Sequence, residues 1–351
     1  MNAGTLALSG IRVLDLTRLL PGAVATKWLA DFGAEVIKIE QPGTGDYARA
    51  SHTGVFESTN GGKKSVTIDL KDPGGKAAFL KLAATADIVI EGFRPDVMDR
   101  LGVGFETLHA ANPRLIYCGL TGYGAEGEFA PLAGHDINYL ALSGVLDLMG
   151  SKDGPPSLAG IQIADLAGGS MQAVIGILLA LEARHQTGRG QKVDISMFAG
   201  SAALLTVPLA SMHSHGLPPE RGNELLSGRY ACYHVYGAAG GSHVAVGALE
   251  PKFWMNLCNE LGRQDLIADQ FAPEPRQSEI KAALASEFSK ATAEEWFARI
   301  GRKDCCVTPV RNLKDAIRDH PTEPIPPLSE TPGRSRKSRA PLLGEHNQEF
   351  L

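Results

Sequence analysis

Ile11-Arg12-Val13-Leu14-Asp15-Leu16, then Pro21, then Ala34-Glu35-Val36-Ile37-Lys38-Ile39-Glu40, is the passage that decides the fold. The first run is apolar enough for a buried strand. Pro21 opens a helical stretch to Phe32, and Gly33 stands where a helix-ending glycine belongs. The second run supplies another strand, so the passage is a β-α-β unit with parallel strands. No G-x-G-x-x-G follows the first strand, and a nicotinamide or flavin dinucleotide is not supported.

Working outward, 73–85 has a helical pattern, 86–91 a strand pattern and Val97–Leu101 a short helical one, while 115–119 and Lys192–Ser196 are further strands. This alternation predicts an α/β layer fold. The region after Gly43 is expected to be loop-rich. It ends in Asn60-Gly61-Gly62-Lys63-Lys64, which reads equally as a solvated turn or as a ligand loop whose glycines let a ligand approach and whose lysines meet phosphates. The Walker spacing is absent there. A helical run begins at Met171, after the polar, glycine-containing stretch 163–170, and a further helix is expected over 197–212. Near Gly222 the pattern changes. Runs 230–236 and 242–248 are joined by Gly237-Ala238-Ala239-Gly240-Gly241, a hairpin signature. Pro251 opens a helix, 280–289 and 293–300 are amphipathic with Thr292 as a cap, and 307–310 is an edge strand because Pro309 cannot donate to a ladder. Proline is frequent over 321–341, the mark of an extended return segment. The expected division is a large domain over 1–200 completed by 325–351, a small α+β domain over 222–310, and linkers at 201–221 and 311–324.

The 351 residues are 44% hydrophobic, enough for a sizeable core, and the net charge of −5 offers no basic excess for nucleic acid or an anionic membrane. Five cysteines, Cys118, Cys232, Cys258, Cys305 and Cys306, form no C-x-x-C pair and imply neither a disulfide framework nor a zinc site. Cys118 and Cys305-Cys306 are expected in the core. No secretory pattern begins the chain, and the longest apolar run, 173–181, is too short to span a bilayer. A cytoplasmic protein is the expectation.

The chemistry-bearing stretch is 134–170. It opens with Gly134-His135-Asp136-Ile137-Asn138-Tyr139 and closes with Ile163-Ala164-Asp165-Leu166-Ala167-Gly168-Gly169-Ser170. A histidine and a carboxylate presented there can act as two proton-handling groups on either side of a substrate. On spacing alone, Asp165 as a helix cap and His135 as an ordinary loop residue serve equally well. Arg94 and Arg100, beside 92–95, read equally as phosphate contacts or as surface arginines at a helix start.

Segments 8–15, 29–38, 60–70, 91–104, 134–139, 165–171, 247–253 and 343–346 together resemble the family III CoA-transferase superfamily from end to end, with the closest likeness to its α-methylacyl-CoA racemase branch. The transferases of that superfamily generally carry an aromatic residue where His135 stands, and the racemases carry this histidine. The resemblance implies that Asp165 is the nucleophile in a transferase or an acid/base in a racemase, and that Glu250 pairs with the histidine. It implies a Rossmann-like large domain that the chain leaves and rejoins. It also implies an interlocked homodimer, with the active site formed by the large domain of one subunit and the small domain of the other. A CoA site is then expected along Thr67, Ile68, Asp69, Leu70, Gly92, Phe93, Arg94, Arg100, Gly134, Asp136, Ile137, Asn138 and Tyr139. No metal and no cofactor beyond the CoA of the substrate are implied. Two positions depart from the racemase pattern. Gln41 replaces a common arginine, and Ser227-Gly228-Arg229 replaces Asp-Gly-Gly near the pocket mouth.

On this reading His135 removes the proton next to the thioester carbonyl and Asp165 delivers one to the opposite face, with the roles exchanged in reverse. The alternatives are a CoA transferase that uses Asp165 as nucleophile, and a CoA-binding relative without chemistry. The acyl chain and the pathway are not legible.

Overall fold

A computed structural model describes residues 6–319, 328–333 and 338–351. It divides into two compact units, Met1–Leu146 with Ala159–Thr206 and Glu323–Leu351, and Asp147–Leu158 with Val207–Thr322.

The first unit is built on six parallel strands: β1 (Arg12–Asp15), β2 (Glu35–Glu40), β3 (Lys64–Thr67), β4 (Ile88–Glu91), β5 (Ile116–Thr121) and β6 (Lys192–Ser196). Their spatial order is β3-β2-β1-β4-β5-β6. β1 is central, with Val13 opposite Val36 on one side and Ile88 on the other. The order reverses between β1 and β4, which opens a crevice beyond their carboxyl ends.

The apolar strands are explained by burial on both faces. Val13, Val36, Ile88, Ile90, Ile116 and Cys118 pack with Ala25 and Leu29 of the helix Leu20–Asp31 and with Ala173 and Ile177 of the helix Gln172–Thr187. The intervening Leu14, Ile37, Val66, Val89, Leu115 and Tyr117 pack on the opposite face with Phe79 and Leu82 of Pro73–Ala83 and Leu108 of Phe105–Ala111. Period-two alternation along each strand thus supplies two cores from one sheet. The chain returns at its end to β3, where the Thr67 N–H donates to Asn347 Oδ1 at 2.8 Å and the His346 N–H to the Ser65 carbonyl at 2.9 Å.

Five expectations need correction here. The loop-rich region holds two short helices, Ala48–Ser51 and Thr53–Asn60. The helix expected from Met171 begins earlier, as a π-helical segment over Ala164–Met171 that runs on into Gln172–Thr187. The combined 24 residues include an 18-residue stretch long and apolar enough to cross a bilayer by length and composition alone. Ala164, Ala173, Ile177, Ala180 and Leu181 on this helix are nonetheless buried in the core of the first unit. The helix expected over 197–212 is broken into Met197–Ala202, a 3-10 turn Ala203–Leu205 and Thr206–His215; Pro208 sits in the first turn of the last piece, where its missing N–H costs nothing.

The fourth correction concerns Lys63. Its ammonium is buried, 3.2 Å from Asp15 Oδ2, and it donates to Thr26 Oγ1 at 2.7 Å, Asn60 Oδ1 at 2.9 Å and the Ala23 carbonyl at 2.9 Å. A fully partnered buried lysine is unable to meet a phosphate. Lys64 pairs with Glu35 at 2.8 Å and with Glu349. Gly61 is glycine because a side chain would collide with the Ser338 carbonyl of the returning segment.

The second unit holds a three-stranded antiparallel sheet, β7 (Tyr233–Gly237), β8 (His243–Gly247) and β9 (Val307–Pro309), in that spatial order, so β9 is an edge strand. Gly240 and Gly241 of the hairpin turn both have positive φ, which glycine adopts without strain. Tyr236, Val244, Val246 and Val307 form one core with Trp254, Leu257, Phe288 and Trp296 of the helices Pro251–Glu260, Arg276–Phe288 and Ala293–Ile300. Thr292 caps the last helix in a reciprocal box with Glu295. Asp147–Leu158 joins this unit through Arg221, whose guanidinium donates to the Asp147 carbonyl at 2.6 Å and pairs with its carboxylate at 2.8 Å. Cys118 and Cys305 are buried as expected, but Cys306 is exposed.

Candidate active site

His135 precedes the helix Asp136–Leu142. Asn138 closes that helix start by accepting the His135 backbone N–H at 3.0 Å on its side-chain oxygen. His135 thus occupies the cap position of that helix, and its side chain is exposed. Tyr139 fixes the turn from the other side. Its hydroxyl donates to the Gly134 carbonyl at 2.5 Å, its ring packs edge-on against Tyr123 with centroids 5.0 Å apart, and a side chain at Gly134 or Gly122 would strike that ring.

Asp165 stands in the first turn of the π-helical segment, and its backbone N–H donates to Asp136 Oδ1 at 2.9 Å. This bond ties the start of one helix to the start of the other. A π segment is costly and is found mostly at functional sites. Here close packing accounts for it. Gly168 lies so near Met197–Ala202 that a side chain would stand 2.7 Å from the Met197 carbonyl, and one at Gly200 would collide with the Gly168 carbonyl. Ser170 Oγ donates to the Pro21 carbonyl at 2.6 Å, anchoring the segment to the helix after β1.

The electrostatics follow. Burial and then the neighbouring Asp136 charge raise the Asp165 carboxyl from 3.8 to about 6, while His135 pulls it down. Burial and the Asp165 charge likewise push the Tyr139 hydroxyl up to about 12. The structure therefore brings His135, Asp136, Tyr139 and Asp165 into one electrostatic neighbourhood, with a carboxyl able to hold a proton near neutrality.

The expected CoA residues fall in two sets. Gly92, Phe93 and Arg94 follow β4 at the switch crevice, and Arg100 ends the helix Val97–Leu101. Glu91 organises this loop by accepting the Phe93 N–H at 2.7 Å and the Tyr117 hydroxyl at 3.2 Å, and burial raises its carboxyl to about 7. Arg18, which the sequence did not single out, lies over the rings of Tyr47 at 5.0 Å and Phe93 at 5.3 Å in the same crevice. Thr67 is engaged by Asn347 through both its N–H and its hydroxyl, and Ile68 is core. Asp69 accepts the Lys71 N–H at 2.9 Å, Leu70 packs against the core, and Ile137 is exposed.

Glu250 lies in the second unit, exposed, just before Pro251–Glu260. Its charge, after burial, helps to raise the Cys306 thiol. Among the described residues no cluster of histidine, cysteine and carboxylate groups is arranged to hold a metal ion.

The family model described as CoA-transferase family III matches residues 8–347. The alpha-methylacyl-CoA racemase of Homo sapiens is 37% identical over 99% of this chain and 93% of its own. The acetyl-CoA:oxalate CoA-transferase of Acetobacter aceti is also 37% identical, over 88% of this chain and 81% of its own. The crystal structure of a CAIB/BAIF family protein from Brucella suis superposes with a TM-score of 0.84 at 27% identity, covering 98% of each chain.

Proposed function

This chain belongs to CoA-transferase family III, and we propose that within it the protein is a racemase that inverts the carbon next to the carbonyl of 2-methylacyl-CoA thioesters. The observation that carries the reading is an Asp165 carboxyl raised to about 6 within electrostatic reach of the exposed His135 imidazole. A transferase nucleophile is best fully ionised, whereas an acid that must deliver a proton near neutrality benefits from a raised pKa.

In one direction neutral His135 takes the α-proton, the C–H electron pair moves into the thioester to form an enolate, and protonated Asp165 donates its proton to the opposite face. In the other direction Asp165 as carboxylate takes the proton and the His135 imidazolium returns one. Backbone N–H groups at the start of the Asp165 helix supply the donors for the enolate oxygen. We extend the reading to a homodimer in which Glu250 of the partner subunit orients His135 and stabilises its charged form. Support for a second copy comes from Met171, Ile175, Leu178 and Leu179, which form an exposed apolar stripe on one helix.

The Acetobacter relative favours a second reading, in which the Asp165 carboxylate attacks the thioester carbonyl and expels CoA thiolate as a mixed anhydride forms. The thiolate then attacks the Asp165 carbonyl and releases the acyl group as a free carboxylate, and a second carboxylate takes CoA from the resulting Asp165 thioester through a second anhydride, freeing Asp165. The test offers one enantiomer of 2-methyldecanoyl-CoA with and without a free carboxylic acid. Epimer formation indifferent to the acid supports the racemase. CoA transfer that requires the acid and follows ping-pong kinetics supports the transferase.

A further inference from the structure

Proton transfer between His135 and Asp165 leaves one buried carboxyl of the first unit unused, that of Glu91. It stands at the carboxyl end of β4, beside the crevice where the strand order reverses, and is 8% exposed. One of its oxygens accepts the Phe93 N–H at 2.7 Å and the other the Tyr117 hydroxyl at 3.2 Å. The first bond ties the loop Gly92-Phe93-Arg94 to the sheet. The Phe93 ring in turn lies under the Arg18 guanidinium at 5.3 Å, which donates to the Tyr47 hydroxyl at 2.8 Å. Arg94 on the same loop is exposed. Glu91 is thus the buried anchor of a loop flanked by two cations.

The groups packed around Glu91 leave its charge uncompensated. On β5, Gly119 is in register with it and adds no side chain; one there would stand 3.3 Å from Glu91 Oε1. The Tyr117 hydroxyl and the Cys118 thiol are pushed up by burial and by the Glu91 charge, so both stay protonated. On β6, Lys192 and Asp194 are exposed and act on Glu91 in opposite senses. Asp99, on the helix Val97–Leu101, adds its negative charge at Tyr117. On β1, Asp15 is in register with Ile90, and its carboxylate is held by Thr26 and Lys63. Glu91 itself is in no ion pair among the described residues. Burial is the largest influence on its carboxyl and holds it at about 7, close to half protonated at neutrality.

A CoA thioester brings several phosphate charges. Arg18 and Arg94 attract them to the loop, and once paired with phosphate the two cations no longer offset the Glu91 charge. The ionised form of Glu91 then becomes costlier, because no cation in contact absorbs the added repulsion and burial weakens screening by salt. A protonated Glu91 escapes that cost and keeps a carbonyl oxygen for the Phe93 N–H, so the loop stays in place.

We propose that Glu91 is a positioning residue that takes up a proton when a CoA thioester binds, so that substrate affinity is linked to pH through a carboxyl outside the reacting pair. The inference rests on the reading of this crevice as the CoA site, and it is the same for racemase and transferase chemistry.

The experiment is calorimetry of the full chain with 2,2-dimethylpropanoyl-CoA, which has no α-proton and reports binding alone. Titrations at pH 7.5 in two buffers of different ionisation enthalpy count the protons exchanged, and a series from pH 7 to pH 9 gives the slope of affinity. A carboxyl raised by about one unit in the complex takes up about half a proton at pH 7.5 and makes binding about fivefold tighter at pH 7 than at pH 9. Glu91→Gln, which keeps an acceptor for the Phe93 N–H, is expected to lose both effects, and Asp165→Asn to retain both. Tyr117→Phe removes a bond to the charged form, so it should move the midpoint of the affinity slope to higher pH. Binding by the wild-type protein without proton uptake overturns the proposal and leaves the CoA reading standing. So does uptake that survives in Glu91→Gln, or, should that variant not fold, a midpoint unmoved in Tyr117→Phe. Failure of the thioester to bind the wild-type protein overturns the CoA reading and the proposal with it.

Discussion

Replacing Asp165 by Asn should make the protein more stable at neutral pH, and by an amount that depends on pH in a defined way. Burial and Asp136 hold this carboxyl at about 6, against 3.8 in the unfolded chain. That rise, at about 1.36 kcal/mol per unit, corresponds to about 3 kcal/mol. Water reaches part of the carboxyl, and screening brings the expected difference to about 2 kcal/mol. The sign follows from proton binding. Between about pH 4 and pH 6 the native state holds the Asp165 proton and the unfolded state does not, so wild-type stability falls as pH rises through that window. Above it, wild type carries the full cost of an ionised, half-buried carboxylate, a cost that the asparagine variant escapes; below about pH 4 the two proteins should coincide. Urea unfolding of wild type and Asp165→Asn at pH 4.0 and 7.5 measures this directly. A stability difference that is the same at both values would refute the assignment of Asp165 as a raised-pKa group, and with it the acid role. The same substitution should abolish epimerisation, so stability gained and activity lost would trace to one carboxyl.

Other expectations follow from the same geometry. Asp136→Asn keeps the acceptor for the Asp165 N–H but removes the charge, so the limb of the pH–rate profile that reports Asp165 should move to lower pH; an unmoved limb would contradict the coupling. Gly200→Ala should cost several kcal/mol, about 3, from the collision with the Gly168 carbonyl, and displace the Asp165 segment, seen as a lowered Tm and reduced turnover together. Asp15→Ala should destabilise by about 3–5 kcal/mol, because it strands the buried Lys63 ammonium; a loss under 1 kcal/mol would show that the network is not buried as described. Of the five thiols, one, Cys306, should react with a thiol reagent in the native protein and all five after unfolding.

The sheet was legible because its strands are short apolar runs bounded by glycine and proline, and β1 to β2 could be read straight from Val13-Leu14 and Val36-Ile37. The hairpin and the Thr292 cap were legible for similar local reasons. What escaped the sequence depends on contacts between distant residues. The π segment was hidden because Gly168-Gly169 ordinarily marks a break, and only close packing on 197–202 makes glycine necessary inside a helix. Lys63 read as a solvated phosphate contact because burial of an ammonium becomes tolerable only once Asp15, Thr26 and Asn60 are gathered around it. Helices 48–51 and 53–60 are too short and too polar to show a period. In the site, His135 and Asp165 were visible as residue types, but the bond from the Asp165 N–H to Asp136, which sets the carboxyl's environment, joins positions 29 residues apart. The exposure of Cys306 was likewise invisible, since the strand pattern assigned both neighbouring thiols to the core.

The central claim is most directly tested by proton NMR of a single-enantiomer 2-methylacyl-CoA incubated with the protein in heavy water. The account predicts loss of the α-proton signal together with formation of the epimer, both abolished by Asp165→Ala. Retention of the α-proton by the wild-type enzyme, with CoA passing to an added carboxylic acid instead, would contradict it and make Asp165 a nucleophile.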